Sequence, residues 1–161
     1  IGGEKDCMLK NGMTLKERLY QYCHQLLTER VTDAQNGMQA AQNDSNSETK
    51  SSAGNKYETG RAMAQLEKER HGRRRSETLD TLYVLEGIGT TAPQETVTLG
   101  SLVQTTQGFY FISVGLGRIE LDSIFYNIVS AESPIGTELL GLEVDDEFVF
   151  RGREHTILSI D

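Results

Sequence analysis

Apolar positions recur every three or four residues up to about Ile88, and every second residue beyond Pro93. The first regime begins at Thr14. From there to about Asn43 the chain has no Pro and only one Gly, Gly37. Leu15, Leu19, Tyr22, Leu26, Leu27, Val31, Ala34, Met38 and Ala41 fall on one stripe, which predicts a helix. Thr14 and Glu17 have the spacing of a capping box, in which each side chain satisfies a free backbone N–H of the other. Thirty helical residues span roughly 45 Å, too long for the stripe to be hidden without a companion element. The companion is the segment from Tyr57 to about Glu86. Met63 and Leu66 open its stripe, Leu79, Leu82, Tyr83 and Leu85 close it, and Gly87 and Gly89 end it. Between the two, Gln42 to Asn55 is almost free of apolar side chains and reads as an exposed tip. The expectation is an antiparallel helical hairpin.

In the second regime, Thr96–Thr105, Phe109–Val114, Ile124–Ser130, Phe148–Phe150 and Thr156–Ile160 read as strands. Arg151-Gly152-Arg153 reads as the turn between the last two. Pro134 to Leu142 reads as a short helix, with Ser133 as its cap and Pro134 at its first position. The fold class expected is α+β: an N-terminal coiled-coil hairpin over 13–88, a linker over 89–94, and a small antiparallel sheet domain with one short helix over 95–161. Residues 1–12 read as a tail without functional weight.

Charge sharpens this division. The net charge of −8 lies wholly in the second part: residues 1–92 hold 13 Lys+Arg and 13 Asp+Glu, residues 93–161 hold 3 and 11. So acidic a sheet domain does not grip phosphates directly. Cys7 and Cys23 form neither a metal spacing nor a disulfide framework, and Cys23 on the helical stripe reads as a small buried hydrophobe. No run has the length of a membrane span and no signal peptide is visible, so a cytoplasmic protein with no membrane partner is expected. No nucleophile–base pair, phosphate loop or metal cluster is present, so the chain does not read as an enzyme. The middle of the second helix carries Arg70, Arg73, Arg74 and Arg75 around His71. A solvated helix face, with Glu69 pairing Arg73, accounts for this basic face; contact with phosphate or an acidic protein surface is the other reading. His71 has no second ligand at metal spacing.

The stretch SAESPIGTELLGLEVDDE, Ser130 to Glu147, resembles the signature of the Gre family of bacterial transcript cleavage and elongation factors. Ser133, Pro134, Ile135, Leu139, Leu140, Gly141 and Asp145 or Asp146 fall in the family's order. The layout of a long helical hairpin followed by a small sheet domain, FKBP-like as in Gre factors, resembles it over residues 13–161. The resemblance implies RNA polymerase as the partner, with nucleic acid met only through it. The Ser133–Pro134–Ile135 corner would dock at the rim of the secondary channel, and the hairpin tip would reach the active centre. There the family's tip carboxylates help to hold a Mg²⁺ that belongs to the polymerase, because such a metal needs hard oxygen ligands. The chain itself needs no cofactor or metal and is expected to be monomeric.

The tip departs from the family's pattern of acidic residues before a tyrosine. With Tyr57 in the tyrosine position, Lys50 and Ala53 fall where carboxylates belong, and Lys56 replaces the last glutamate. Asp44 and Glu48 lie earlier in the chain. The expectation is therefore a factor that enters the channel and modulates elongation, with cleavage stimulation weak or absent. The alternative is a coiled-coil adaptor in which the sheet domain binds protein. An adaptor hairpin needs an apolar outer face; a channel probe needs a polar one.

Overall fold

The computed structural model describes residues 8–9, 12–48, 54–89 and 92–161. Two long helices, α1 (Leu15–Glu48) and α2 (Gly54–Ile88), form the hairpin. Six strands and one short helix follow. The fold class is α+β, as the change of period predicts. Two very short strands, β1 (Met8–Leu9) and β2 (Met13–Thr14), pair just before α1. Contacts divide the chain into two compact units: residues 24–83, and residues 1–23 with 84–161. The division falls inside both helices and not at residues 89–94.

The start of α1 is the expected capping box. Thr14 N–H donates to Glu17 Oε2 at 2.8 Å, and Glu17 N–H donates to Thr14 Oγ1 at 3.2 Å. α1 runs further than its apolar stripe suggests. Gln42 to Glu48 are helical, and α2 already includes Gly54 and Asn55, so the tip is shorter than Gln42–Asn55. Side-chain amides four residues apart support the polar turns, Gln39 donating to Asn43 and Gln42 to Asn46, both at 3.1 Å.

Within residues 24–83 the buried positions are spaced by sevens. On α1 they are Leu27, Ala34 and Ala41; on α2 they are Ala64 and Thr78, with half-buried His71 midway. Such spacing is that of a coiled-coil seam. Met63 and Leu66, expected on the seam, instead stand 58% and 56% exposed. Lys68 crosses to Gln42 Oε1 at 2.6 Å. The His71 ring lies over Gly37, where a Cβ would come 2.6 Å from the ring edge and 2.7 Å from Cγ. Alanine normally gains about 1 kcal/mol over glycine inside a helix. Here the sign should reverse, because the ring root cannot swing aside without leaving its rotamer. Gly37→Ala is expected to destabilise the hairpin by about 1–2 kcal/mol, and to be harmless in a His71→Ala background. Equal costs in both backgrounds, read by thermal melts as a double-mutant cycle, would acquit the ring.

The second unit is built on a sheet of order β5-β6-β4-β3-β8-β7. Its strands are β3 (Leu102–Thr105), β4 (Gly108–Ser113), β5 (Gly117–Leu121), β6 (Ile124–Ser130), β7 (Glu147–Phe150) and β8 (Arg153–Ile160). All neighbours are antiparallel except β4 and β6. β5 was not expected, and the anticipated strand from Thr96 shrinks to Leu102–Thr105, with Thr96 making only an isolated bridge to Glu143. Two hairpins turn on paired positive φ angles, Asp122-Ser123 (53° and 66°) and Arg151-Gly152 (50° and 76°). These are the φ signs of a type I′ turn, which matches strand twist. On one face Val103, Ile112, Ile157 and Ile160 pack with Val97 and with Ile135 and Leu139 of α3 (Pro134–Leu139). On the other face Leu102, Phe111, Tyr126 and Ile128 are buried. In the same unit Arg18 at the start of α1 pairs with Asp122 at 2.6 Å. Nearby burial lowers the pKa of Lys16, and Asp161 opposes the shift. Cys23 is buried as expected, its thiol pushed up to about 12.

His155 is buried in this unit, stacked on Phe148 at 4.7 Å between ring centroids. Thr105 Oγ1 donates to the Gly108 carbonyl, which leaves Nδ1–H of the neutral ring to donate to Oγ1 at 3.3 Å. Burial first, and the Arg153 charge second, hold the imidazole below its usual pKa. The unfolded chain therefore takes a proton that the native ring resists. This contribution to stability is complete above the unfolded value of about 6.5 and is lost as pH falls below it towards the lowered native value. His155→Phe keeps the stack and removes the proton. Urea midpoints of this variant should fall less between pH 7 and 5 than those of the unmodified chain, and parallel falls would refute the assignment.

Candidate functional site

Two places carry the residues singled out by sequence: the hairpin tip and the corner that opens α3. At the tip, Asp44 stands exposed on α1. Glu48 closes α1 and Tyr57 falls in the first turn of α2. The side chains of Glu48 and Tyr57, and Lys50 and Ala53 altogether, lie outside the described residues.

The corner is built by hydrogen bonds that fix the helix start. Ser133 Oγ donates to the Ser130 carbonyl at 2.6 Å and accepts from Gly136 N–H at 3.1 Å. Ser133 has the extended backbone of an N-cap, and Pro134 follows at the first helical position, where its missing N–H costs nothing. Thr137 Oγ1 donates to the Pro134 carbonyl at 2.8 Å. After α3, Gly141 takes a φ of +84° and its N–H donates to the Val97 carbonyl at 2.8 Å. Of the two candidate motif aspartates, Asp146 has an identifiable duty: its carboxylate accepts from Glu143 N–H at 2.8 Å and closes a turn.

The corner is only partly available to a partner. Ile135 is 7% exposed and belongs to the core beneath α3, so its side chain is not a docking knob. The exposed members are Glu132, Pro134, Thr137 and Glu138, with Leu140 beside them at 38%. Sequence reasoning also passed over Gly136, whose missing side chain lets the helix start close on the Ser130 carbonyl.

The basic run on α2 divides: Arg70, Arg73 and Arg74 are exposed at the i, i+3 and i+4 spacing of one helix face, and Arg75 departs from it. Arg73 and Arg74 are exposed and, among the described residues, make no ion pair. Arg70 pairs with Glu67 at 3.0 Å. Glu69 accepts from Gln65 at 3.1 Å and not from Arg73. Arg75 is half-buried with its Nε enclosed and unpartnered, so it belongs to the inward side of α2. His71 Nε2 faces Glu67 at 3.7 Å. Among the described residues no group of three or more His, Cys, Asp or Glu side chains is placed to hold a metal, and no helix is long and apolar enough to cross a membrane. No protein-family model matches the chain, nor does any curated protein or any solved structure.

Proposed function

We propose that this chain is an RNA polymerase-binding elongation factor of the Gre type. It inserts its hairpin into the secondary channel and modulates elongation without strong stimulation of transcript cleavage. The observation that carries this reading is the hairpin: helices of 34 and 35 residues, each about 50 Å long, joined by a polar tip. Their seam is mostly small, with Ala34, Ala41, Ala64 and Thr78 buried and Gly37 against the His71 ring, and small side chains allow close approach of the two helices, which suits a slender probe better than a broad platform. The capped Ser133–Pro134 corner supports the same reading, with Pro134, Thr137 and Glu138 as the side chains that would meet the polymerase. Any Mg²⁺ in this mechanism is the polymerase's own. The factor's part is to place or withhold oxygen ligands beside it.

The test is binding of the full chain to purified core polymerase, followed by cleavage assays on backtracked complexes. The expected result is binding, competition with an ordinary Gre factor, and little cleavage. A lysine ammonium facing the metal would repel it by an amount on the order of kcal/mol at short range. Lys50→Asp combined with Ala53→Glu should restore part of the cleavage. Robust cleavage by the unmodified chain, abolished by Asp44→Ala or Glu48→Ala, would show that the acidic function has moved along the tip. Absence of polymerase binding would sink the proposal.

One observation favours the coiled-coil adaptor reading. Met63 and Leu66 stand exposed on the outside of α2, where an apolar pair invites a further helix. If they serve a second copy of this chain, light scattering should show a dimer that Leu66→Glu returns to monomer. A monomer across the micromolar range would dispose of self-association.

A further inference from the structure

One side of α2 is taken by the seam of the hairpin; the other carries a second stripe that is wholly exposed. Met63, Leu66, Arg70, Arg73, Glu77 and Asp80 follow one another at alternating steps of three and four, the spacing of a coiled-coil face, and every one of them is exposed. At about 100° per residue, Arg73 stands about 180° around the helix from buried Ala64 of the seam. The order along this stripe is apolar, then basic, then acidic. Arg73 and Glu77 stand four apart, a spacing at which they can pair along the helix. Yet among the described residues Arg73, Glu77 and Asp80 form no ion pair, and Arg70 has only Glu67, at 3.0 Å.

This order is complementary to itself in one direction. Laid antiparallel about a two-fold axis at residue 75, a second α2 sets its Asp80 opposite Arg70 and its Glu77 opposite Arg73. The contact is isologous, so each pairing occurs twice. Leu66 then comes about level with Tyr83 of the second copy, which is 79% exposed. A parallel arrangement in register would instead set arginine on arginine and carboxylate on carboxylate. Residues 24–83 hold nine Lys+Arg and nine Asp+Glu, so two such units meet without a net charge to repel them. A nucleic acid gripped by Arg70 and Arg73 would meet Glu77 and Asp80 within the next two turns of the same stripe.

We infer that the outside of α2 is the contact for a second copy of this chain, docked antiparallel with Arg70 and Arg73 on the second copy's Asp80 and Glu77. Guanidinium groups suit this role because their planar fork takes a carboxylate through two hydrogen bonds. The charges set direction and register, and Met63, Leu66 and Tyr83 supply apolar contact at either end. The inference rests on the coiled-coil adaptor reading and deepens it by naming the occupant, its direction and its register. The dimer covers the outside of α2, so only the dissociated chain presents a bare hairpin.

The test is analytical ultracentrifugation of the full chain across the micromolar range, at low and at high salt. The expected result is a monomer–dimer equilibrium that weakens as salt rises. Arg70→Glu with Arg73→Glu makes the stripe's charges all acidic, and Glu77→Arg with Asp80→Arg makes them all basic. Each double variant should dimerise at least tenfold more weakly than the unmodified chain. Their equimolar mixture should form a mixed dimer. A chain with all four changes should dimerise with itself and not with the unmodified chain. If either double variant loses helix by circular dichroism, Arg73→Gln and Glu77→Gln serve, with dimerisation weakened in the same direction. A dimer indifferent to these changes would overturn the proposal and leave self-association through Met63 and Leu66 standing. Mixed dimers of the unmodified chain with the fourfold variant would mean parallel helices and overturn it as well. A monomer at every concentration and in both salts would remove this proposal and self-association together. Dissociation of the dimer by a single-stranded thymidine octamer that binds the chain would assign the stripe to nucleic acid instead.

Discussion

Gly136→Ala is expected to destabilise the sheet unit by about 3–5 kcal/mol, a loss found only where packing or backbone is directly violated. A Cβ at this position would sit 2.1 Å from the Ser130 carbonyl oxygen, 2.9 Å from Ser133 Oγ and 3.1 Å from the Ala131 carbonyl oxygen. Two of these obstacles are backbone, which has no rotamer to escape into. The same carbonyl of Ser130 accepts the Ser133 hydroxyl and the Ser133 N–H, so it is held from two sides. Alanine can be accommodated only if α3 lifts from the sheet. That would withdraw Ile135 and Leu139 from the core. Thr137→Ala, on the exposed side of the same helix, deletes one hydroxyl hydrogen bond and should cost no more than about 1 kcal/mol. Urea denaturation of both variants checks the contrast. A Gly136→Ala midpoint matching that of Thr137→Ala would mean that the corner is pliable.

Ile135→Asp should be nearly as damaging. The side chain lies among Val97, Val103, Ile112, Leu139, Ile157 and Ile160. A carboxylate there would either be buried unpaired or force α3 open, at a cost of about 3–5 kcal/mol. Loss of polymerase binding by this variant would thus report unfolding and not docking. Ile135→Val should cost only about 0.5–1.5 kcal/mol. Docking is better examined at Pro134 or Glu138, whose side chains point to solvent. Unchanged thermal melting of Ile135→Asp would show that the burial is dispensable.

Both residues belong to a motif that sequence made conspicuous, and they show what such a reading can carry. Local chemistry was legible. The Thr14–Glu17 box, the Ser133 cap, Pro134 at the first helical position and the Arg151-Gly152 turn each depend on neighbours within a few residues, and each formed as expected. Features decided at longer range were obscure. β5 reads GRIEL, and its two charged residues hide a strand held by pairing with β6. The seam of α2 is Ala64, His71 and Thr78, so hydrophobicity alone pointed to Met63 and Leu66 on the wrong side. The polar end of α1 is helical through side-chain amide bonds that composition does not reveal. Gly136 and Arg75 are special only because of what lies against or around them. Of the candidate site, the corner could be rebuilt atom by atom. Of the candidate residues at the tip, Asp44 alone is described with its side chain.

The sevenfold spacing of Leu27, Ala34 and Ala41 against Ala64, His71 and Thr78 has a consequence for the hairpin's length. Seven residues advance a helix by about 10.5 Å while bringing the same side back to its partner. Removing one heptad from each helix would therefore shorten the rod by about 10 Å and leave its inner side matched. Removing one residue would instead rotate everything beyond it by about 100°. Length in this molecule comes in steps. Changes in the hairpin's length that keep its inner side matched therefore come in units of about 10 Å.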